Sequence, residues 1–214
     1  MGTSKKINRE NLSPKEALAI LVDGNQRFIN DVKRDQNLSL IREELKEKQE
    51  PFAAVLGCSD SRTSLELIFD QSLGDIFSVR LAGNVACKNA IGSLEYSCKY
   101  LGSKIIVVMG HSNCGAVKAA CDHFKGGNIG EIIDLINPAV EAESTITNND
   151  DRTSANDLFV EKVCFLNVQT QINRILKDST IIQQQLEKKQ VGLVGAVYNL
   201  ATGHVQFNIK DALI

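Results

Sequence analysis

Two short, uninterrupted apolar runs constrain this chain more than any other feature: Phe52-Ala53-Ala54-Val55-Leu56 and Ile105-Ile106-Val107-Val108-Met109. Five apolar residues without polar alternation suit a strand buried on both faces. From residue 52 onward the pattern alternates between strand and helix, the signature of a parallel sheet covered by helices. Strands are expected at 52–57, 76–80, 105–109 and 192–198. Helices are expected at 64–70, 89–100, 115–124, 157–177 and 181–189; the second should stop at Gly102, a residue type that tolerates the left-handed position after a helix. The span 129–146 looks helical but contains Pro138, which should kink or divide it. Residues 147–156 are polar and read as a surface loop. Beyond a turn at 201–204, residues 205–209 should return as an antiparallel strand.

Ahead of the sheet, Leu12-Ser13-Pro14-Lys15-Glu16 marks a helix start. Ser13 can cap, Pro14 suits the first helical position, and Glu16 closes a capping box. This helix should reach about residue 30, with a more charged one at 38–48. Such a pair is either local cover or an arm that packs on another subunit. The expected architecture is α/β: a central, mostly parallel sheet of four strands plus an antiparallel carboxyl-terminal strand, flanked by helices. One domain is expected over 1–214, with a helical arm at 1–50 and an α/β core at 51–214. At 43% hydrophobic content, a chain this long can bury on the order of 70% of the surface it exposes when unfolded.

A formal net charge of −2 leaves no electrostatic footprint for nucleic acid or an anionic membrane. The basic start, residues 1–9, runs into polar residues rather than the apolar core of a signal segment. Lys6 breaks the myristoylation pattern. No apolar run approaches the roughly 20 residues that span a bilayer, so a cytoplasmic location is expected.

Both apolar runs end in chemistry. The first leads into Gly57-Cys58-Ser59-Asp60-Ser61-Arg62 and the second into Gly110-His111-Ser112-Asn113-Cys114-Gly115. In an extended segment Cys58, Asp60 and Arg62 point to one side, and open α/β sheets bind ligands beyond the carboxyl ends of their strands. Two thiolates and an imidazole favour zinc over magnesium or calcium. A structural zinc site normally has four protein ligands, whereas three leave a place for water, with Asp60 the contender for it. If Asp60 stays off, zinc lowers the pKa of bound water from 15.7 to roughly 7. A Cys58 nucleophile activated by His111 is the competing reading, and it leaves Cys114 unexplained. The other cysteines, Cys87, Cys98, Cys121 and Cys164, lack partners at ligand spacing and read as packed residues.

With both stretches assembled, the chain resembles the β-class carbonic anhydrases. Cys58-Ser59-Asp60-Ser61-Arg62 and His111-Ser112-Asn113-Cys114-Gly115 match that family's two zinc-site signatures. Further matches are Gly24-Asn25-Gln26-Arg27-Phe28, Phe69-Asp70-Gln71, Arg80 with Ala82-Gly83-Asn84, Glu95-Tyr96 and Gly195-Ala196-Val197-Tyr198. The resemblance implies one zinc ion per subunit on Cys58, His111 and Cys114, and reversible hydration of carbon dioxide to bicarbonate and a proton. Asp60 would orient the zinc-bound hydroxide and Arg62 would keep Asp60 ionised; in a closed, inactive form Asp60 would itself join the metal. The resemblance also implies substrate contacts from Gln49, Phe77, Tyr96 and the backbone of Gly115. Gln49, Phe77 and Tyr96 are expected from the opposite subunit of a homodimer; the resemblance leaves open whether dimers pair into tetramers. Read without the resemblance, Gln49 is a solvated helix-end residue, and Phe77 and Tyr96 are core aromatics.

Two departures stand out. Thr63-Ser64 replaces a common Val-Pro, an exchange expected to loosen the turn behind the site. Val55 stands where one branch of the family carries the Trp of an inhibitory bicarbonate pocket, so no such pocket is expected. The rival readings are hydrolysis of carbonyl sulfide or carbon disulfide at the same site, and a zinc-stapled interaction protein with Asp60 fixed on the metal.

Overall fold

The two apolar runs become the centre of a five-stranded sheet. This computed structural model describes residues 11–214, and the basic stretch at 1–9 lies outside the described residues. Ala53–Gly57 (β1) and Ile105–His111 (β3) are buried at every position. Ile76–Arg80 (β2) pairs parallel to β1, β1 to β3, and β3 to Gly192–Tyr198 (β4). Val205–Phe207 (β5) returns antiparallel on β4. The order β2-β1-β3-β4-β5 reverses direction between β1 and β3, so the crevice beyond their carboxyl ends is where a ligand is held in such sheets.

Helix Pro14–Ile29 (α1) starts with the expected capping box: Ser13 N–H donates to Glu16 and Glu16 N–H to the Ser13 hydroxyl. Its Leu18 and Leu21 pack with Val55, Val107 and Val194 on one face of the sheet. Each such buried side chain contributes about 1.5–3 kcal/mol. Leu65–Ile68 (α3) shares that face. Gly24 sits where α1 touches the backbone, since a Cβ there would lie 1.8 Å from the Phe69 carbonyl oxygen. Beside it, buried Asn25 donates to the carbonyls of Ile68 and Gly203 and accepts from Val205 N–H. These bonds tie α1 to the strand that ends the sheet. Leu38–Glu44 (α2) is shorter than expected and buries none of its residues.

The opposite face is covered by Lys88–Tyr96 (α4), Asp157–Asp178 (α7) and Thr180–Glu187 (α8). α4 runs into a π-helical turn, Ser97–Leu101, which stops at Gly102 with φ 81°, as the sequence predicts. Gly115–Cys121 (α5) and Gly127–Ala142 (α6) pack with α7 over the carboxyl end of the sheet. Pro138 does not divide α6. A mid-helix proline costs about 3 kcal/mol, but Ile136, Ala139 and Val140 beside it are buried and offset that loss. The helix ends at Ala142, short of the expected residue 146, because Glu143 turns inward and takes Ile146 N–H and Arg152 Nη1. The last strand also stops early, at Phe207, ahead of a 3₁₀ turn at Ile209–Asp211. Among the described residues, no helix is long and apolar enough to cross a membrane.

Candidate metal centre

Parallel pairing places Gly57 beside Met109, so Cys58 leaves β1 next to the end of β3. His111 is the last residue of β3 rather than part of the turn after it. Cys114 precedes α5 and is its N-cap. The donor atoms of Cys58, His111 and Cys114 all lie within 4.8 Å of one another, and all three residues are buried. The two sulfurs are 3.9 Å apart.

The imidazole is preset for a metal. His111 Nδ1 lies 3.0 Å from the Ser112 carbonyl oxygen, which can only accept, so Nδ1 carries the proton and Nε2 presents its lone pair. Nε2 is buried and has no hydrogen-bond partner. A buried unsatisfied acceptor is costly, and a cation between it and the two sulfurs removes that cost. The arrangement also supplies the outer hydrogen bond that fixes the ring of a metal-binding histidine.

The sulfurs differ. Hydrogen bonding with Cys114, then with the N–H groups of Asp60 and Gly83, holds the Cys58 thiol below its ordinary range against the cost of burial. Cys114, on the proton-holding side of that pair and buried, is pushed upward. A dication beside both sulfurs removes the second proton. Gly83 can reach Cys58 because its φ is 67°, and a Cβ there would meet Ile136 at 2.6 Å.

Asp60 faces the same crevice but is held by Arg62. Arg62 Nε and backbone N–H donate to Oδ1, each at 2.9 Å, and Nη2 donates to Oδ2 at 2.7 Å. Those side-chain bonds hold the carboxyl well below the usual carboxylate range. The side of the turn away from Arg62 carries a contact that sequence reasoning missed. Thr63 is fully buried, and its hydroxyl lies 3.0 Å from the Cys58 carbonyl oxygen and 2.9 Å from that of Asp60. Arg80 donates to both carbonyls as well, at 2.9 and 2.7 Å. The exchange expected to loosen the turn therefore braces it. The available signal was the threonine itself, whose hydroxyl favours bonds to nearby backbone.

The remaining candidates are not gathered here by this chain alone. Gln49 is exposed beyond α2. Phe77 pairs with Ala54, four residues before Cys58 and so roughly 13 Å away along the strand. Its ring lies 6.3 Å from that of Tyr96. Tyr96 is 48% exposed, so its sequence reading as a core aromatic is corrected: it closes α4 at the surface. Gly115 opens α5, where backbone N–H groups have no intrahelical acceptor. Cys98, Cys121 and Cys164 are buried and Cys87 is partly so. Burial pushes the Cys98 and Cys164 thiols up to about 12, as suits packed residues.

Known proteins are similar to this chain over most of its length. The sequence model of the family described as carbonic anhydrase matches residues 53–205. Carbonic anhydrase 2 of Mycobacterium tuberculosis is 33% identical over 199 residues, covering 90% of this chain and 92% of that protein. The carbonic anhydrase of Mycolicibacterium smegmatis is 34% identical over 202 residues, covering 92% and 94%. Among solved structures, the Coccomyxa β-carbonic anhydrase in complex with acetazolamide superposes with a TM-score of 0.67 at 27% identity, covering 88% of this chain and 85% of that one. One of two β-carbonic anhydrases of Sordaria macrospora described as tetrameric shares the fold, with a TM-score of 0.66 at 24% identity over 78% of this chain and 85% of that one.

Proposed function

The chain belongs to the β-carbonic anhydrase family, and from that premise we propose that it interconverts carbon dioxide and bicarbonate at a zinc centre held by Cys58, His111 and Cys114. The observation that carries this reading is the orphaned, buried Nε2 of His111 facing two sulfurs. When bound, zinc supplies Lewis-acid activation of water, lowering its pKa from 15.7 to about 7.

The chain's own residues do the rest. Gly83 N–H and Asp60 N–H stabilise the Cys58 thiolate, and the Ser112 carbonyl holds the imidazole in the tautomer a metal needs. Asp60, kept ionised by Arg62, accepts a hydrogen bond from the attacking water and so aims it at the substrate carbon; the proton itself leaves to solvent. The pairing with Arg62 also keeps Asp60 from competing for the metal. Gly115 N–H, in the first turn of α5 where no intrahelical acceptor exists, would hold a bicarbonate oxygen.

Gln49, Phe77 and Tyr96 complete the pocket of a second copy in a homodimer. Two facts support this: the distance of Phe77 from its own Cys58 along the strand, and the exposure of Tyr96 beside it. The tetrameric description of the Sordaria proteins supports further pairing of such dimers. Stopped-flow hydration of carbon dioxide, with zinc measured on the same sample, tests the proposal. Stoichiometric zinc with turnover supports it; a zinc-free preparation that cannot be loaded, or a loaded one without turnover, overturns it.

A further inference from the structure

We infer that Thr63 is a positioning residue which, with Arg80, keeps the Asp60 carboxylate on Arg62 and away from the metal position. The inference rests on the reading of Cys58, His111 and Cys114 as a metal centre.

A hydroxyl buried without partners is costly, so a fully buried threonine must be bonded. Thr63 Oγ1 has one proton to give, shared between the Cys58 and Asp60 carbonyls at 3.0 and 2.9 Å, and it accepts from Arg80 Nη2 at 3.4 Å. The Asp60 carbonyl takes two further donors, Thr63 N–H at 3.0 Å and Arg80 Nη2 at 2.7 Å. The Cys58 carbonyl takes Arg80 Nε at 2.9 Å. The peptide groups following Cys58 and Asp60 are thus pinned from behind the turn, and Thr63, stiff at χ1 because it is β-branched, holds its hydroxyl between them.

This matters because Asp60 is so close to the ligands. Its Oδ2 lies 3.9 Å from His111 Nε2, and a carboxylate oxygen is a good zinc ligand. Reaching the metal position would have Asp60 release Arg62, and any turn of its backbone toward that position would break the carbonyl bonds to Thr63 and Arg80. The clamp opposes the second movement, and the bidentate pair with Arg62 opposes the first. Thr63 touches no reacting group; it acts through Asp60.

The test is a comparison of Thr63→Val, which keeps the shape and loses the hydroxyl without restoring the stiffening proline that follows Val in the family's common pattern, with Thr63→Ser, which keeps the hydroxyl. Each protein is loaded with cobalt(II) in place of zinc, and its visible spectrum is titrated with azide to report an accessible metal position. Wild type and Thr63→Ser should respond alike, whereas Thr63→Val should need at least tenfold more azide as Asp60 takes the position. In the zinc proteins, kcat for hydration should fall about tenfold in Thr63→Val with KM within twofold. A Thr63→Val response within twofold of wild type overturns the inference, as does an equal loss in Thr63→Ser, which would assign the effect to packing. If Thr63→Val does not fold, Arg80→Lys, which keeps the charge but cannot span both carbonyls, should show the same weakened azide response; an unchanged response overturns the inference. Failure of the wild type to bind metal or turn over sinks the functional reading instead, so the two failures are distinguishable.

Discussion

Asp60 Oδ2 and His111 Nε2 lie 3.9 Å apart, yet they face different partners. The carboxylate is paired with Arg62 in two side-chain hydrogen bonds, while the imidazole nitrogen has none. That asymmetry is what the proposed roles require, with Asp60 orienting and His111 ligating. Replacing Asp60 by Asn keeps the size and removes the charge. Hydration kcat should fall by about 10²-fold or more while zinc content stays at one per chain. Full activity in Asp60→Asn would contradict the assigned role.

The Asp60 carboxyl is depressed below its ordinary 3.8, first by the Arg62 side-chain hydrogen bonds. A depressed folded value means that the pair's contribution to stability is present above about pH 4 and is lost as pH falls through the folded value. Arg62 is 53% exposed, so the contribution is screened and modest. Carbon-13 NMR of the Asp60 carboxyl should show it ionised at pH 3 in wild type. In Arg62→Gln its titration should move up toward 3.8.

His111→Ala and Cys114→Ser should each lose stoichiometric zinc, measured by elemental analysis after gel filtration. Chelation should lower the Tm of the wild type, because a ligand at 1,000 times its Kd stabilises by about 4 kcal/mol. A Tm that ignores free zinc would argue against a preformed site among these buried donors.

Alanine in place of glycine inside a helix ordinarily gains up to about 1 kcal/mol. At Gly24 the sign should reverse, because the new Cβ would sit 1.8 Å from the Phe69 carbonyl oxygen and push α1 off the sheet. Asn25→Ala leaves the Ile68 and Gly203 carbonyls and the Val205 N–H without this partner. About 3 kcal/mol should be lost, roughly 6–12 °C in Tm, as thermal unfolding by circular dichroism would show.

If Tyr96 serves the opposite subunit, Cys114→Ser and Tyr96→Ala chains should complement. Each homodimer is impaired, but a mixed dimer has one complete site. Unfolding and refolding an equal mixture should restore about a quarter of wild-type activity, the share of complete sites after random pairing of a symmetric dimer. Absence of recovery in a mixture that does form mixed dimers would place Tyr96 outside the partner's pocket.

What the sequence determined by itself was local. Periodicity and burial chemistry set the apolar strands, Ser13-Pro14-Glu16 set the start of α1, and Gly102 set the end of the α4 segment, because each is decided by residues within a few positions of one another. The identity of the soft donors Cys58, His111 and Cys114 was legible for the same reason. Only the tertiary structure decided how those donors meet, since Cys58 and Cys114 stand 56 residues apart and converge through the parallel register of β1 and β3. It also decided that Thr63 braces the turn, because the bracing needs Arg80 from the neighbouring strand β2. Asn25 reads as a polar helix residue until Val205, 180 positions away, lies against it. Hydrogen bonds of that reach have no signature in spacing, because they exist only once packing has excluded water from both partners.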